Sequence, residues 1–274
     1  MLCYAMVGKL ISNLADTSQT HSKPMTESKT YVHSFTASHI NCVGRPAVLY
    51  LAVESLFQSG VNNVYLSISY AEELEKTCKP RVTNLLTSLR QQYPERGLCI
   101  HEQPYPMTQF DHLHYLYDHY KGSPNDYVLF CDDDDLLLQI PVTTDKANVV
   151  QGFQYIPVSS RDVDATYKAN RTELLGLEDS LKHECLQEVD FSGCMCRYHG
   201  LGDYFSKRSK SEAIGGSFGH ITRFLSHLED IDFMQYLDGV KGGVYRPSKP
   251  FVFHRMWSDE SGTNTSDWRR VFCQ

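Results

Sequence analysis

Beginning at Thr30, apolar and polar positions follow two rhythms in turn, and each change of rhythm marks an element. The run YVHSFT from Tyr31 predicts a buried first strand. Arg45-Pro46 then opens a helix, because proline is favoured at the first helical position. Val48, Leu49, Ala52, Val53, Leu56 and Phe57 recur at helical spacing, and Gly60 closes the segment. In NVYLSIS, Val64, Leu66 and Ile68 alternate with polar neighbours, which predicts a second strand. Pro80 starts a second helix carrying Val82, Leu85, Leu86 and Leu89, and it stops at Pro94 to Gly97. LCIHEQ is the third strand, Thr108 to Tyr120 the third helix, and DYVLFC from Asp126 the fourth strand.

Strands and helices in this alternation predict a parallel sheet with helical crossovers. The fold class is therefore α/β, a Rossmann-like, mixed and mainly parallel sheet flanked by helices. In such sheets ligands gather outside the carboxyl ends of the strands. The second half is less regular. NVVQGFQYI from Asn148 and DFSGCMCRY from Asp190 read as strands. A turn bearing Gly215, Gly216 and Gly219 precedes a helix from about His220 to Leu237, and Gly242 to Val252 forms a hairpin arm ending at FVFHRMW.

Composition narrows the function classes. With 274 residues and 41% hydrophobic content the chain can bury a sizeable core. A formal net charge of -7 argues against nucleic acid as a partner, since phosphate backbones need a clustered basic surface. Nine cysteines is an odd number, and Cys99 and Cys131 fall in apolar runs where a thiol serves as a small buried hydrophobe. The set reads as mostly reduced and the compartment as cytoplasmic. No run is long enough for a transmembrane segment. Residues from about Asn13 to Lys29 are polar and rich in Ser and Thr, and residues 1–29 are expected to be a flexible leader to a single domain over residues 30–274.

The feature that calls for chemistry is VLFCDDDDLL, in which an apolar strand runs straight into Asp132, Asp133, Asp134 and Asp135. Adjacent like charges repel, so something must compensate them. Carboxylates at a strand end are hard oxygen ligands suited to Mn²⁺ or Mg²⁺. If the strand's period of two continues, Asp132 and Asp134 converge on one side, with Asp133 and Asp135 on the other. The plain alternative is a solvated acidic turn, against which stands the apolar strand that buries its base.

This stretch resembles the DxD element of glycosyltransferases with the A-type nucleotide-sugar fold (GT-A), the large family-2 group above all. Other features occur in the same order: the turn Gly215-Gly216-Ser217-Phe218-Gly219, the acidic segment HLEDIDFMQYLDG from His227, and the late histidine of FVFHRMW. The resemblance spans roughly Tyr31 to Trp257. It implies a nucleotide-binding half over residues 30–140 and an acceptor-binding half over 141–274. It further implies a metal held by Asp132, Asp134 and His254, and nucleotide contacts from Phe35, Thr36, Arg45, Ser69, Asp132, Asp133 and Arg255. Asp230 would act as catalytic base, with Glu229 beside it positioning the acceptor. The partners implied are a nucleotide-sugar donor, a UDP-sugar in the first place, and a glycan or glycoconjugate acceptor. Ser67-Ile68-Ser69 departs from the family pattern, which places an aspartate at the end of the second strand to hold uracil.

Leu-Glu-Asp also occurs at Leu177 to Asp179, but without the preceding glycine turn. The rival functions are a catalytically degenerate nucleotide-sugar or glycan binder, and a DxD phosphatase. The phosphatase pattern expects its aspartates after the first strand, whereas these follow the fourth.

Overall fold

The computed structural model describes residues 31–140, 148–150, 154–155, 185–186, 192–207, 233, 236–237, 239, 244–245 and 252–253. The chain starts with strand β1 (Val32–Ile40), helix α1 (Arg45–Gln58), β2 (Asn63–Tyr70), helix α2 (Glu72–Gln92) and β3 (Gly97–Glu102). Helix α3 (Gln109–His119) and β4 (Tyr127–Phe130) follow. Then come the short strands β5 (Leu136–Leu137), β6 (Val149–Val150), β7 (Gln154–Tyr155), β8 (Cys185–Leu186) and β9 (Met195–Arg197). A 3₁₀ turn (Tyr198–Leu201), helix α4 (Gly202–Lys207), β10 (Val244–Tyr245) and β11 (Val252–Phe253) complete the described elements.

A seven-stranded sheet has the order β10-β6-β9-β4-β1-β2-β3, and a four-stranded sheet the order β5-β11-β7-β8. In the larger sheet β1, β2, β3 and β4 run parallel, while β9 is antiparallel to both β4 and β6. The sheet is mixed and mainly parallel, with helices on both faces, as the alternation of elements predicts.

Period-two alternation divides the core. On β1 and β4, Phe35, Ala37, Val128 and Phe130 face the layer containing Phe110, Leu113 and Leu116 of α3. Ile40, Leu129 and Cys131, with Val64, Leu66 and Ile68 of β2, face the layer of Leu49, Val53, Leu56, Val82 and Leu86 from α1 and α2. Each fully buried Val, Leu, Ile or Phe side chain among them contributes about 1.5–3 kcal/mol relative to exposure. Gly60, at φ +96°, ends α1 in the left-handed region that favours glycine.

Several boundaries differ from the sequence reading. Helix α2 starts at Glu72, not at Pro80, which lies within it. Glu72, Glu73 and Glu75 complement the helix dipole in the first turn. Pro80 is exposed, so water can take the carbonyl left unpaired by its missing N–H. Strand β1 runs on past Thr36 to Ile40, which brings Ser38 and His39 to the carboxyl edge. The run NVVQGFQYI is divided between the two sheets, as β6 and β7. Among the described residues, the two strands of the expected hairpin arm pair elsewhere: β10 pairs with β6, and β11 with β5 and β7. Pro247 and Pro250 between them lack the N–H groups a hairpin ladder uses.

Cys131 is buried as expected, but Cys99 is exposed on the edge strand β3. Cys42, Cys78, Cys99, Cys131, Cys194 and Cys196 are free thiols. Among the described residues no helix is long and apolar enough to cross a membrane.

Candidate functional site

Strand β1 is hydrogen-bonded on one side to β2 and on the other to β4. The chain moves outward from β1 to β3 and then returns to the far side of β1 as β4. This reversal opens a crevice at the carboxyl ends of β1 and β4, where doubly wound sheets take their ligands. The aspartates lie at that edge.

They do not continue the strand. Asp133 and Asp134 form a turn, with the Asp135 N–H donating to the Asp132 carbonyl at 3.2 Å. The turn removes the period of two that would set Asp133 and Asp134 on opposite faces. Both carboxylates instead reach Arg45, the first residue of α1. Arg45 Nε donates to Asp133 Oδ2 at 3.0 Å, Nη2 donates to Asp133 Oδ1, and Nη1 donates to Asp134 Oδ2 at 2.9 Å. The Ser38 hydroxyl also donates to Asp133. Asp133 is 3% and Asp134 7% exposed, so this compensation takes place out of water. Burial would lower the Arg45 pKa, but the charges of Asp133 and Asp134 outweigh it and hold the guanidinium firmly cationic.

Asp132 and Asp135 find other partners. Asp132 accepts from Gln109 Nε2 at the start of α3, and its N–H donates to Ser192 Oγ at 3.2 Å. Ser192 in turn donates to Asp135, which is fully buried. The cluster therefore fans out from β4, with Asp132 tied to α3 and Asp133 and Asp134 tied to α1. The donor set suits a hard divalent cation of the Mg²⁺ type, which commonly uses one or two carboxylates and fills its shell with water and substrate phosphate. Among the described residues no three His, Cys, Asp or Glu side chains are grouped so as to hold a metal by themselves.

The remaining expected residues divide sharply. Thr36 bonds the neighbouring Ser34 hydroxyl at 3.1 Å, and Phe35 packs in the core against Tyr65, Tyr120 and Phe130. Ser69 lies between two histidines, 2.9 Å from His112 Nε2 and 2.9 Å from His39 Nδ1. Glu229, Asp230, His254, Arg255 and the glycine turn lie outside the described residues.

Sequence reasoning missed Ser38, Gln109 and Ser192, which orient three of the four carboxylates. Ser38 was within reach of it, since extending the β1 pattern to Ile40 carries that residue to the edge. Gln109 and Ser192 carried no local signal.

No known family profile matches the sequence, and no curated protein sequence matches it. Solved structures are similar in fold. A mannosyltransferase from Pyrobaculum calidifontis, in complex with GDP-Man and Mn²⁺, aligns at TM-score 0.44 and 8% identity, covering 85% of this chain and 59% of that one. The chain thus spans little more than half of that enzyme's length. Glucosyl-3-phosphoglycerate synthase of Mycobacterium tuberculosis aligns at TM-score 0.40 and 13% identity, covering 84% of this chain and 74% of that one. HddC from Yersinia pseudotuberculosis aligns at TM-score 0.40 and 13% identity, covering 80% and 90%.

Proposed function

We propose that this chain is a metal-dependent glycosyltransferase. It would move a sugar from a nucleoside-diphosphate sugar, UDP-linked by preference, to an acceptor hydroxyl on a glycan or glycoconjugate, with inversion. The observation that carries this reading is the placement of Arg45 with Asp132, Asp133 and Asp134 at the carboxyl edge between β1 and β4. The starts of α1 and α3 meet the same cluster, and helix N-termini favour bound anions.

Asp132 and Asp134 would hold the cation, joined by His254 from the late motif. A bound Mn²⁺ or Mg²⁺ supplies Lewis-acid stabilisation of the charge that develops on the leaving diphosphate. Arg45 keeps the turn in one geometry and adds a fixed positive charge beside the diphosphate, and Arg255 would add a second. A hydroxyl is a weak nucleophile, so Asp230 takes its proton on the acceptor side while Glu229 positions it.

The test is turnover of UDP-sugars with Mn²⁺, with excess chelator, and in Asp134→Ala. Turnover that disappears in the last two supports the reading. A chain that binds UDP-sugar but turns it over in none of the three is a degenerate binder, and cleavage of simple phosphomonoesters would make it a phosphatase.

A further inference from the structure

Away from the acidic cluster, the edge strand β3 and the last turn of α3 bring two imidazoles together. His101 is the register partner of Ser67, whose hydroxyl meets His112 of α3, so His101 faces the same helix. There its ring centre lies 5.4 Å from that of Tyr115 and 6.0 Å from that of His119, the last residue of α3. Tyr115 and His119, one helical turn apart, stack at 3.9 Å. His101 is half-buried and His119 exposed, so a small ion can reach the pair from solvent.

Hydrogen bonding fixes one of the two rings. His119 Nδ1 lies 2.7 Å from the Tyr115 carbonyl oxygen, which can only accept, so the proton sits on Nδ1. In the neutral ring Nε2 then carries a lone pair. A backbone carbonyl holding the other N–H is a common support of a ligating histidine, because it sets tautomer and orientation together. Among the described residues no hydrogen bond or ion pair reaches His119 Nε2 or either nitrogen of His101. Burial, and after it the neighbouring His119, lowers the His101 pKa, which favours the neutral form a metal ion needs.

Two imidazoles on one tetrahedral cation, each bound at about 2.0–2.1 Å through nitrogen, have ring centres roughly 5–6 Å apart. The 6.0 Å between His101 and His119 falls at the upper end of that span. Packing at a helix end explains the Tyr115 stack and the carbonyl bond. It does not explain why the facing His101 ring has both nitrogens unpartnered. We propose that His101 and His119 form a metal site of their own, which takes a borderline transition cation such as Zn²⁺ or Cu²⁺. No third His, Cys, Asp or Glu is grouped with them among the described residues, so water completes the shell. Imidazole nitrogen suits these ions, whereas the carboxylates of the aspartate turn suit Mg²⁺ or Mn²⁺. The assignment does not depend on the transferase reading. A shared cation ties β3 to the end of the helix whose first residue, Gln109, holds Asp132.

The experiment titrates the full chain, ¹⁵N-labelled at histidine and kept reduced, with Zn²⁺ alone and separately with Mn²⁺ at neutral pH. Long-range ¹H–¹⁵N spectra follow each ring nitrogen. The His101 and His119 signals are expected to move together in one zinc step, with His119 coordinated through Nε2. Mn²⁺ at the same concentrations is expected to leave both in place. His101→Gln and His119→Gln should each weaken zinc binding at the remaining ring at least tenfold. His114→Gln, whose ring stacks on Phe205 instead, should change neither response and controls for zinc held elsewhere. His119 is exposed, so His119→Gln keeps the test sound even where His101→Gln disturbs packing. Rings that respond at zinc concentrations tenfold or more apart overturn the proposal. So does a His101 response that His119→Gln leaves unchanged, coordination of His119 through Nδ1, or an equal response to Mn²⁺.

Discussion

Arg45 clasps Asp133 through two of its nitrogens and extends a third to Asp134, joining the first turn of α1 to the end of β4 across 88 residues of sequence. Both carboxylates and the guanidinium are largely out of water. Removing one side of such a set leaves buried charge without a partner. Arg45→Met is therefore expected to cost about 3–5 kcal/mol in urea unfolding. Asp133→Asn added to that variant should recover part of the loss, since neighbours sharing a network are not additive. Arg45→Lys should fall between, because a point charge cannot reproduce the fork.

Acid should weaken the fold through His112. Its folded pKa lies at about 3, below the ordinary value of 6.5. Above that ordinary value the ring is neutral both folded and unfolded, and the linkage is silent. Between the two values the unfolded chain takes up a proton that the folded ring refuses. Stability is thus full above pH 6.5 and declines as pH falls, by about 1.4 kcal/mol per unit. Burial also lowers the His33 pKa, more than Asp126 raises it, which adds a decline of the same sign. Denaturant titrations between pH 7 and 4 should show this slope, reduced in His112→Gln.

Asp126 holds together the opposite end of the sheet. It accepts from the Tyr31 N–H, the Tyr120 hydroxyl and the Ser123 N–H, and pairs with His33 Nε2 at 3.3 Å. Asp126→Asn turns an amide N–H₂ toward these donors and should cost about 1–3 kcal/mol. Because the residue lies at the amino end of β4, pyrophosphate affinity at Arg45 should not change.

Asp230 is assigned by its place in the acidic motif, so its test separates binding from chemistry. Asp230→Asn is expected to abolish sugar transfer while UDP-sugar affinity stays within a few-fold of the unsubstituted chain. Unchanged transfer would move the base to Asp179 or elsewhere.

Local pattern carries far in this chain. Val64, Leu66 and Ile68 at a spacing of two, and Leu49, Val53 and Leu56 at helical spacing, state which faces must be covered, and that is enough to call for a helix-flanked parallel sheet. The apolar run into Asp132 likewise marks the edge where ligands gather. Errors arose where one local signal stood for another. Pro80 looked like a helix start because the proline preference outranked the weaker acidic first turn at Glu72.

Only folding decided what meets the aspartates. Arg45 and Asp133 are joined because α1 and β4 both flank β1, and no periodicity in either segment encodes that pairing. The same holds for His112, which reads as one more residue of α3 until β2 places Ser67 and Ser69 against its two nitrogens. Hydrophobic spacing is a property of neighbouring residues along the chain. The partners of a buried charge or ring nitrogen are set by strand order and register, which arise only when distant segments pack.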